Sequence, residues 1–363
     1  MSKEIEEALT RKAPKRTAPV PDADLLKTGA TVLDLAISGR RKGGFCKGKY
    51  FWIVGDSSSG KTFLTLTCLA EASINKFFDE YRFIFDNAED GALMEVARYF
   101  GKRLAARLEP PAGDKKKPVF SETIEDFYYN LDDALEGDKP FIYVLDSMDS
   151  LGSKYADKKF QEKKTEARGG KKAQGDYGDG KAKFNSTRIR SVVSKLRKTG
   201  SILIILSQTR DNIDAGMYGE QQTSAGGRAL KFYSTVQLWS SVGEKIKKTV
   251  NDRQITVGVY CRVKTRKNRI TGKERTVEFP IYYDVGIDDI GGMVDWLTYW
   301  KIWSVKVGMI DASEAWDGVV KRRDDLIKWI EENDMRQDLE EVVEAAWAMI
   351  ESKLEVKRKS KYE

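Results

Sequence analysis

The stretch YFWIVGDSSSGKTFLTLTCLAEASINKFF, residues 50–78, decides the fold. An apolar β-rich run is followed by a glycine- and serine-rich turn and then by a helical pattern, which is the context that a phosphate loop requires. The turn predicts backbone N–H groups and a helix N-terminus that hold phosphates, with Lys61 on the β and γ oxygens and Thr62 on magnesium. An ordinary strand-to-helix turn is the alternative. The predicted loop residues are Gly55, Asp56, Ser57, Ser58, Ser59, Gly60, Lys61 and Thr62.

Three further apolar runs, YRFIF, FIYVL and SILIIL, alternate with helical patterns between about residues 28 and 290. This alternation predicts an α/β fold with a mostly parallel central sheet. We expect an N-terminal helix and linker arm over residues 1–27, a core over 28–290, and a small helical C-terminal domain with a basic tail over 291–363. The C-terminal helices are predicted from apolar residues at helical spacing: Leu326, Ile327 and Ile330, then Leu339, Val342, Val343, Ala346 and Ile350.

The composition excludes several kinds of site. The chain has 363 residues, a formal charge of +7 and no histidine, so it offers no imidazole for a metal site or a Ser-His nucleophile. Cys46, Cys68 and Cys261 are odd in number and far apart, which predicts buried small hydrophobes and no disulfide framework. The longest apolar run, residues 202–206, is too short to cross a bilayer, and no signal sequence begins the chain. We therefore expect a cytoplasmic protein without a membrane partner, and the positive charge favours a polyanion.

Acidic residues follow two of the apolar runs at the edge where the phosphate loop is expected. Asp146 closes FIYVL and is the candidate second magnesium residue, although such an Asp is by itself more often a turn or cap residue. Glu89 follows YRFIF and is the candidate that orients the attacking water. Asp86 and Asp90 compete with Glu89 for this role, and spacing alone does not choose among them.

A basic segment from about residue 151 to 184 is rich in Lys, Gly and Asp. It shows no apolar period, so we expect it to pack poorly and to be mobile in the free protein. The segment could contact phosphates or be a solvated insertion.

Four segments together resemble the bacterial RecA family of DNA recombinases. They are TGATVLDLAISGR with GDSSSGKT, then FDNAED, then VLDSMDSL, then LSQTRDNIDAGMYGEQQTSAGGRALKFY. The last is the most specific, and VKTRKNRITG, EFPIYYDVGID and GGMVDW extend the resemblance to about residue 350. It implies a RecA-type P-loop ATPase core with a short N-terminal helical arm and a small helical C-terminal domain.

The resemblance also implies roles for residues outside the phosphate loop. Gln208 matches the residue that senses the γ-phosphate and passes its state to the second DNA-binding loop, about residues 211–228. Lys267 and Arg269 match a basic pair that reaches the neighbouring subunit's ATP, whereas without the family they read as a charged strand face. The first DNA-binding loop is the basic segment 151–184. The implied DNA contacts are Lys183, Ser186, Arg190, Arg210, Met217, Tyr218, Gly226, Gly227 and Arg228.

The chain departs from the family pattern in four places. Asn87 stands where the family usually has Asp, and Val96 stands near the place of its adenine-stacking aromatic residue. The first DNA loop is longer and more basic than usual, which favours a stronger salt-dependent part of DNA affinity. The chain ends KLEVKRKSKYE, without the acidic tail of well-known members.

The expected function is that of a DNA-dependent ATPase that uses ATP and Mg²⁺. By the resemblance it self-associates into a helical filament on single-stranded DNA and pairs it with homologous double-stranded DNA for strand exchange. One alternative is a ring-forming RecA-fold helicase or motor. Another is an ATP-binding DNA filament or mediator protein with negligible turnover. The sequence leaves open ATP against other triphosphates.

Overall fold

The computed structural model describes residues 20–168, 181–211, 222–224, 227–356 and 358, and every structural statement below concerns these ranges. Several predictions lie outside the described residues: residues 1–19 of the expected N-terminal helix and linker arm, part of the basic tail, and the candidates Met217, Tyr218 and Gly226. The side chain of Arg210 is likewise outside them.

Seventeen strands are present in the described ranges. They are β1 Leu25–Leu26, β2 Phe45–Cys46, β3 Tyr50–Gly55, β4 Arg82–Asp86, β5 Leu108–Glu109, β6 Ala112–Gly113, β7 Pro118–Val119, β8 Phe141–Leu145, β9 Ile202–Asp211, β10 Gln222–Ser224, β11 Val236–Val250, β12 Arg253–Asn268, β13 Thr276–Tyr282, β14 Gly286–Ile287, β15 Ser304–Lys306, β16 Met309–Asp311 and β17 Val320–Lys321.

Ten α-helices accompany them over the same part of the chain. They are α1 Thr31–Ser38, α2 Lys61–Ile74, α3 Val96–Arg107, α4 Ile124–Glu136, α5 Lys154–Arg168, α6 Lys181–Thr199, α7 Gly227–Tyr233, α8 Asp289–Tyr299, α9 Arg323–Glu332 and α10 Arg336–Lys353. None of the helices described is both long and apolar enough to span a membrane.

The central sheet has ten strands in the order β14-β13-β12-β11-β3-β9-β8-β4-β5, with β10 paired to β9. From β11 to β5 every neighbouring pair is parallel, whereas β11 to β14 and β9 with β10 pair antiparallel. The predicted α/β fold with a mostly parallel sheet is therefore confirmed. All four apolar runs of the sequence are parallel strands at its centre, where burial on both faces suits continuous apolar runs.

Alternate residues of these strands enter two cores, one on each face of the sheet. Phe51 and Ile53 of β3 pack with α1, α2 and α3, and this core continues into the C-terminal helices. Tyr50, Trp52 and Val54 pack with α4, α6 and α7 on the opposite face. Because side chains of a strand alternate between faces, one run of β3 supports both cores.

The cysteines lie where the sequence predicts. Cys46, Cys68 and Cys261 are all buried and free. Burial raises the pKa of the Cys261 thiol to about 12 and that of Cys46 to about 11, so both remain neutral at physiological pH.

The basic segment at residues 151–184 is more regular than expected. Within it, α5 covers Lys154–Arg168 and α6 begins at Lys181, so the absence of an apolar period did not mean an absence of helix. The Ser153 hydroxyl accepts a hydrogen bond from the Ala156 N–H at 3.1 Å and caps the helix start. Lys, Glu, Gln and Ala also favour helix intrinsically. Most described α5 side chains are exposed, in agreement with the expected poor packing.

The C-terminal elements are anchored on the core by a buried carboxylate. Asp289, at the start of α8, accepts hydrogen bonds from the Thr31 N–H at 2.6 Å and the Thr31 hydroxyl at 2.9 Å. The Arg336 guanidinium of α10 lies 3.1 Å from the same carboxylate. Burial raises the pKa of Asp289, while Arg336 and Thr31 oppose that rise. One side chain thus joins α1, α8 and α10.

Replacing Asp289 by Ala should lower the free energy of unfolding by about 3 kcal/mol, because two buried Thr31 donors and Arg336 lose their acceptor. Urea denaturation followed by tryptophan fluorescence measures this change. Asp338→Ala on exposed α10 surface is the matched control and should cost less than about 0.5 kcal/mol. Equal effects of the two substitutions would contradict the anchoring role.

Candidate nucleotide-binding site

The phosphate loop begins where β3 ends and passes directly into α2. Gly55 is required by close packing, because a Cβ there would lie 2.1 Å from the Ser240 hydroxyl of β11. Gly60 precedes the helix with φ +84°, a left-handed conformation that favours glycine. Ser59 is held by the Ser240 hydroxyl at 2.8 Å and by the Cys261 thiol, which donates to its carbonyl at 3.1 Å. Strands β11 and β12 therefore support the loop from beneath.

The start of the loop is held by a different strand. Asp56 accepts a hydrogen bond from the Thr209 hydroxyl of β9. Ser57 and Ser58 are exposed, and Ser58 has φ +61°. The loop is thus fixed at both ends, while its serine backbone faces solvent, where a phosphate would bind.

Lys61 points back into the loop that precedes it. Its ammonium donates hydrogen bonds to the carbonyls of Gly55 at 2.9 Å and Asp56 at 2.7 Å. Burial lowers the pKa of Lys61, and the nearby carboxylates, Asp146 first, oppose that decrease. Phosphate oxygens would give the ammonium stronger partners than these neutral carbonyls.

Thr62 and Asp146 meet at the carboxyl edge of the sheet. The Thr62 hydroxyl donates to the Asp146 carboxylate at 2.6 Å. Burial raises the pKa of Asp146 and the Glu89 charge adds to the rise, whereas the Thr62 hydrogen bond and Lys61 lower it. A hydroxyl and a carboxylate are the oxygen ligands that magnesium takes beside a nucleotide, so the pair fits Mg²⁺.

Glu89 and Gln208 are joined across the same edge. The Gln208 side-chain amide donates to the Glu89 carboxylate at 3.0 Å, and the Glu89 N–H donates to the Asp146 carbonyl at 2.8 Å. The Gln208 N–H donates to the carboxylate of Asp149 at 2.8 Å. With Ser150 and Thr209 these side chains line an open pocket beside the loop. Sequence reasoning missed Asp149, although an acid three residues after Asp146 in VLDSMDSL was a usable signal.

Two of the three competing acids have other structural roles. Asp86 is fully buried and accepts hydrogen bonds from the Ser121 hydroxyl at 2.6 Å and the Tyr143 hydroxyl at 2.7 Å. Asp90 has φ +52°, and its N–H donates to the Asn87 carbonyl in a tight turn. The geometry therefore favours Glu89 over Asp86 and Asp90.

Lys267 and Arg269 do not approach the phosphate loop of the same chain. Lys267 pairs with Gln237, which is in register with Trp52, three residues before the end of β3. Its ammonium donates to the carbonyls of Lys231 and Phe232, both at 2.7 Å, and Arg269 donates to Phe232 at 3.0 Å. The basic pair thus caps the last turn of α7.

The environment of Lys267 lowers the pKa of its ammonium group. Burial, and then the charges of Arg269 and Lys231, lower its pKa to about 8. An anion brought to this face would therefore strengthen the charged form of the ammonium.

Candidate DNA contacts converge at the start of two helices. Lys183, Ser186 and Arg190 are exposed on α6, at a spacing that places them along one side. Gly227, the first residue of α7, packs so closely on α6 that a Cβ would lie 3.1 Å from the Ala182 Cβ. Arg228 follows and is exposed. The described ends of the two predicted DNA loops are therefore neighbours.

Replacing Thr62 by Val should weaken magnesium-dependent ATP binding by on the order of tenfold or more, because the site loses an oxygen ligand without losing volume. Binding in excess EDTA should change little. Isothermal titration with and without Mg²⁺ measures both constants. Thr67→Val, the same substitution later in α2, is the control, and a loss that is equal with and without magnesium would contradict the ligand role.

Comparison with known proteins identifies several that are similar to this chain. The RecA N-terminal domain family matches residues 164–288. A protein named RecA from Cereibacter sphaeroides is 28% identical over 311 residues, which are 82% of this chain and 76% of that protein. RecA from Caulobacter vibrioides is 28% identical over 347 residues, 92% of this chain and 84% of that protein. RecA of a Synechococcus strain is 27% identical over 321 residues, 85% and 73% respectively. Together with the sequence of the phosphate loop and the residues at its sheet edge, these matches make the chain similar to RecA proteins over most of its length.

Proposed function

We propose that this protein is a DNA-dependent ATPase that assembles into a helical filament on single-stranded DNA and catalyses homologous pairing and strand exchange. The observation that carries the proposal is the hydrogen bond between Gln208 and Glu89 beside the phosphate loop. Gln208 lies in β9, three residues before position 211, where the second predicted DNA-binding loop begins. A group near the nucleotide is therefore in direct backbone continuity with a predicted DNA contact.

The positions of the site residues support the following roles. Lys61 and the loop N–H groups hold the phosphates, and Thr62 and Asp146 hold magnesium, which neutralises charge on the phosphate oxygens when bound. Glu89 orients and deprotonates the attacking water, because it lines the open pocket and contacts the Gln208 side-chain amide, whereas Asp149, the other carboxylate there, accepts the Gln208 backbone N–H. Gln208 gives up the Glu89 contact when a γ-phosphate offers its amide a charged acceptor, and β9 then carries this change toward the DNA.

The basic pair supports assembly of several subunits. Lys267 and Arg269 lie away from the phosphate loop of the same chain and bind the end of α7, which supports action on the nucleotide site of a neighbouring subunit. A site shared in this way requires head-to-tail contacts, which generate rings or helical filaments. It also favours an ATPase over a mediator with negligible turnover, because cations from outside the loop stabilise charge on the transferred phosphoryl group.

A strand-exchange assay tests the proposal as a whole. Circular single-stranded DNA and homologous linear duplex should give joint molecules with ATP and Mg²⁺, and heterologous duplex should give none. Lys61→Ala should lower both pairing and hydrolysis by on the order of 100-fold, because the phosphates lose their ammonium partner. Closed rings that unwind duplex without pairing, or undiminished pairing by Lys61→Ala, would contradict the recombinase proposal.

Mixing of two inactive variants tests the shared site. Glu89→Gln and Lys267→Met should each hydrolyse little ATP, but a 1:1 mixture on single-stranded DNA should regain about one quarter of wild-type activity, since about one interface in four combines two intact halves. DNA-stimulated phosphate release measures the recovery. Glu89→Gln mixed with Lys61→Ala is the matched control, because both changes damage the same half and no site is complete. Absence of recovery in the first mixture would refute action from a neighbour.

A further inference from the structure

Two carboxylates beside the phosphate loop have no part in the proposed hydrolysis. Asp149 lines the open pocket with Glu89 and Gln208, and it accepts the Gln208 N–H at 2.8 Å. Asp56, the second residue of the loop, accepts a hydrogen bond from the Thr209 hydroxyl. Both acids are only partly buried. Because an aspartate with access to solvent is ionised at neutral pH, both place negative charge at the loop.

The register of the sheet brings these two acids to the same end of the loop. Gln208 of β9 is in register with Gly55 of β3, and neighbouring strands lie about 4.8 Å apart. Asp56 directly follows Gly55, while Asp149 is held on the backbone of Gln208. Both carboxylates therefore lie where the loop meets the end of β9, which carries the predicted γ-phosphate sensor.

Lys61 indicates that these charges reach the predicted position of the phosphates. Burial lowers the pKa of Lys61, and the carboxylates that oppose this decrease are, in order of effect, Asp146, Glu89, Asp56 and Asp149. The Lys61 ammonium is the group predicted to hold the β and γ oxygens. A negative charge that is close enough to stabilise this ammonium is also close enough to repel a phosphate oxygen bound to it.

ATP and ADP meet this repulsion to different extents. ATP carries its additional charge on the γ-phosphate, which would lie at the end of the site nearest β9. ADP ends at the β-phosphate, which the loop N–H groups and the start of α2 would surround. Magnesium bound at Thr62 and Asp146 would compensate charge on either nucleotide. The carboxylates of Asp149 and Asp56 should therefore act mainly on ATP.

We propose that Asp149 and Asp56 set the preference of this site between ATP and ADP, because they repel the γ-phosphate and so weaken ATP relative to ADP in the unassembled chain. In the proposed filament, Lys267 and Arg269 of a neighbouring subunit bring positive charge to the same phosphate and oppose the repulsion. The inference rests on the proposed nucleotide site. It names the residues there that distinguish the triphosphate from its hydrolysis product.

Substitutions that remove the charge but keep the hydrogen bonds test this role. Asp149→Asn and Asp56→Asn each retain a side-chain oxygen that can accept the bond from β9, so the strand end stays in place. In the DNA-free full-length chain with Mg²⁺, each should tighten binding of the slowly hydrolysed analogue ATPγS by about tenfold, because a nearby like charge is lost. ADP affinity should stay within about twofold of wild type. Isothermal titration measures both constants.

Asp133→Asn, on the exposed surface of α4, is the matched control and should change neither constant. The ratio of the two constants separates this role from a structural one, since partial unfolding weakens both nucleotides alike. An unchanged ratio in both variants, or weaker ATPγS binding by Asp149→Asn, would overturn the inference and leave the phosphate loop intact. If the wild type binds neither nucleotide, the proposed nucleotide site itself fails and the inference fails with it.

Discussion

The parallel register of β3 with β9 is the constraint on which the site depends. This pairing places Gly55 opposite Gln208 and thereby brings the phosphate loop beside the end of β9. Strands β8 and β4 continue the same direction, so Asp146 and the turn that carries Glu89 arrive at one edge. Carboxyl ends of parallel strands meet at the same sheet edge, which is why residues far apart in sequence form one site. A slip of one residue would turn every strand side chain to the wrong face.

The antiparallel half of the sheet carries some of the predicted site residues away from the phosphate loop. Strand β12 runs back along β11, so it supplies Cys261 beneath the loop but carries Lys267 and Arg269 away from it. The basic pair instead binds the end of α7, a helix that starts next to the second predicted DNA segment. One strand therefore both supports the predicted phosphate loop of the same chain and presents cations at a different surface. This geometry is what the proposed action of the pair on a neighbouring subunit requires.

Much of the architecture was predictable because local patterns and tertiary packing agree. Four buried parallel strands read as continuous apolar runs, and the strand-loop-helix signature of residues 50–78 is local. The long β11–β12 hairpin and the small β15–β17 sheet were not predicted, because half-exposed strands with many charged residues lack a clear alternation of apolar and polar residues. The helix α5 was not predicted, because the segment has no apolar period. Residues of high helix propensity and a serine cap can form a helix without an apolar face.

The sequence by itself predicted the phosphate loop and determined the α/β class and which acids follow the strands, since each depends on neighbouring residues. Only the tertiary structure decided which acid faces the site. Asp86 is buried against Ser121 and Tyr143, while Glu89 reaches Gln208, and these contacts join residues that lie 35 to 119 positions apart. The contact between the Phe63 and Tyr99 rings likewise forms only when α2 and α3 pack on one face of the sheet. Chemistry that depends on proximity across strands cannot be read from local spacing, because the sheet order sets those distances.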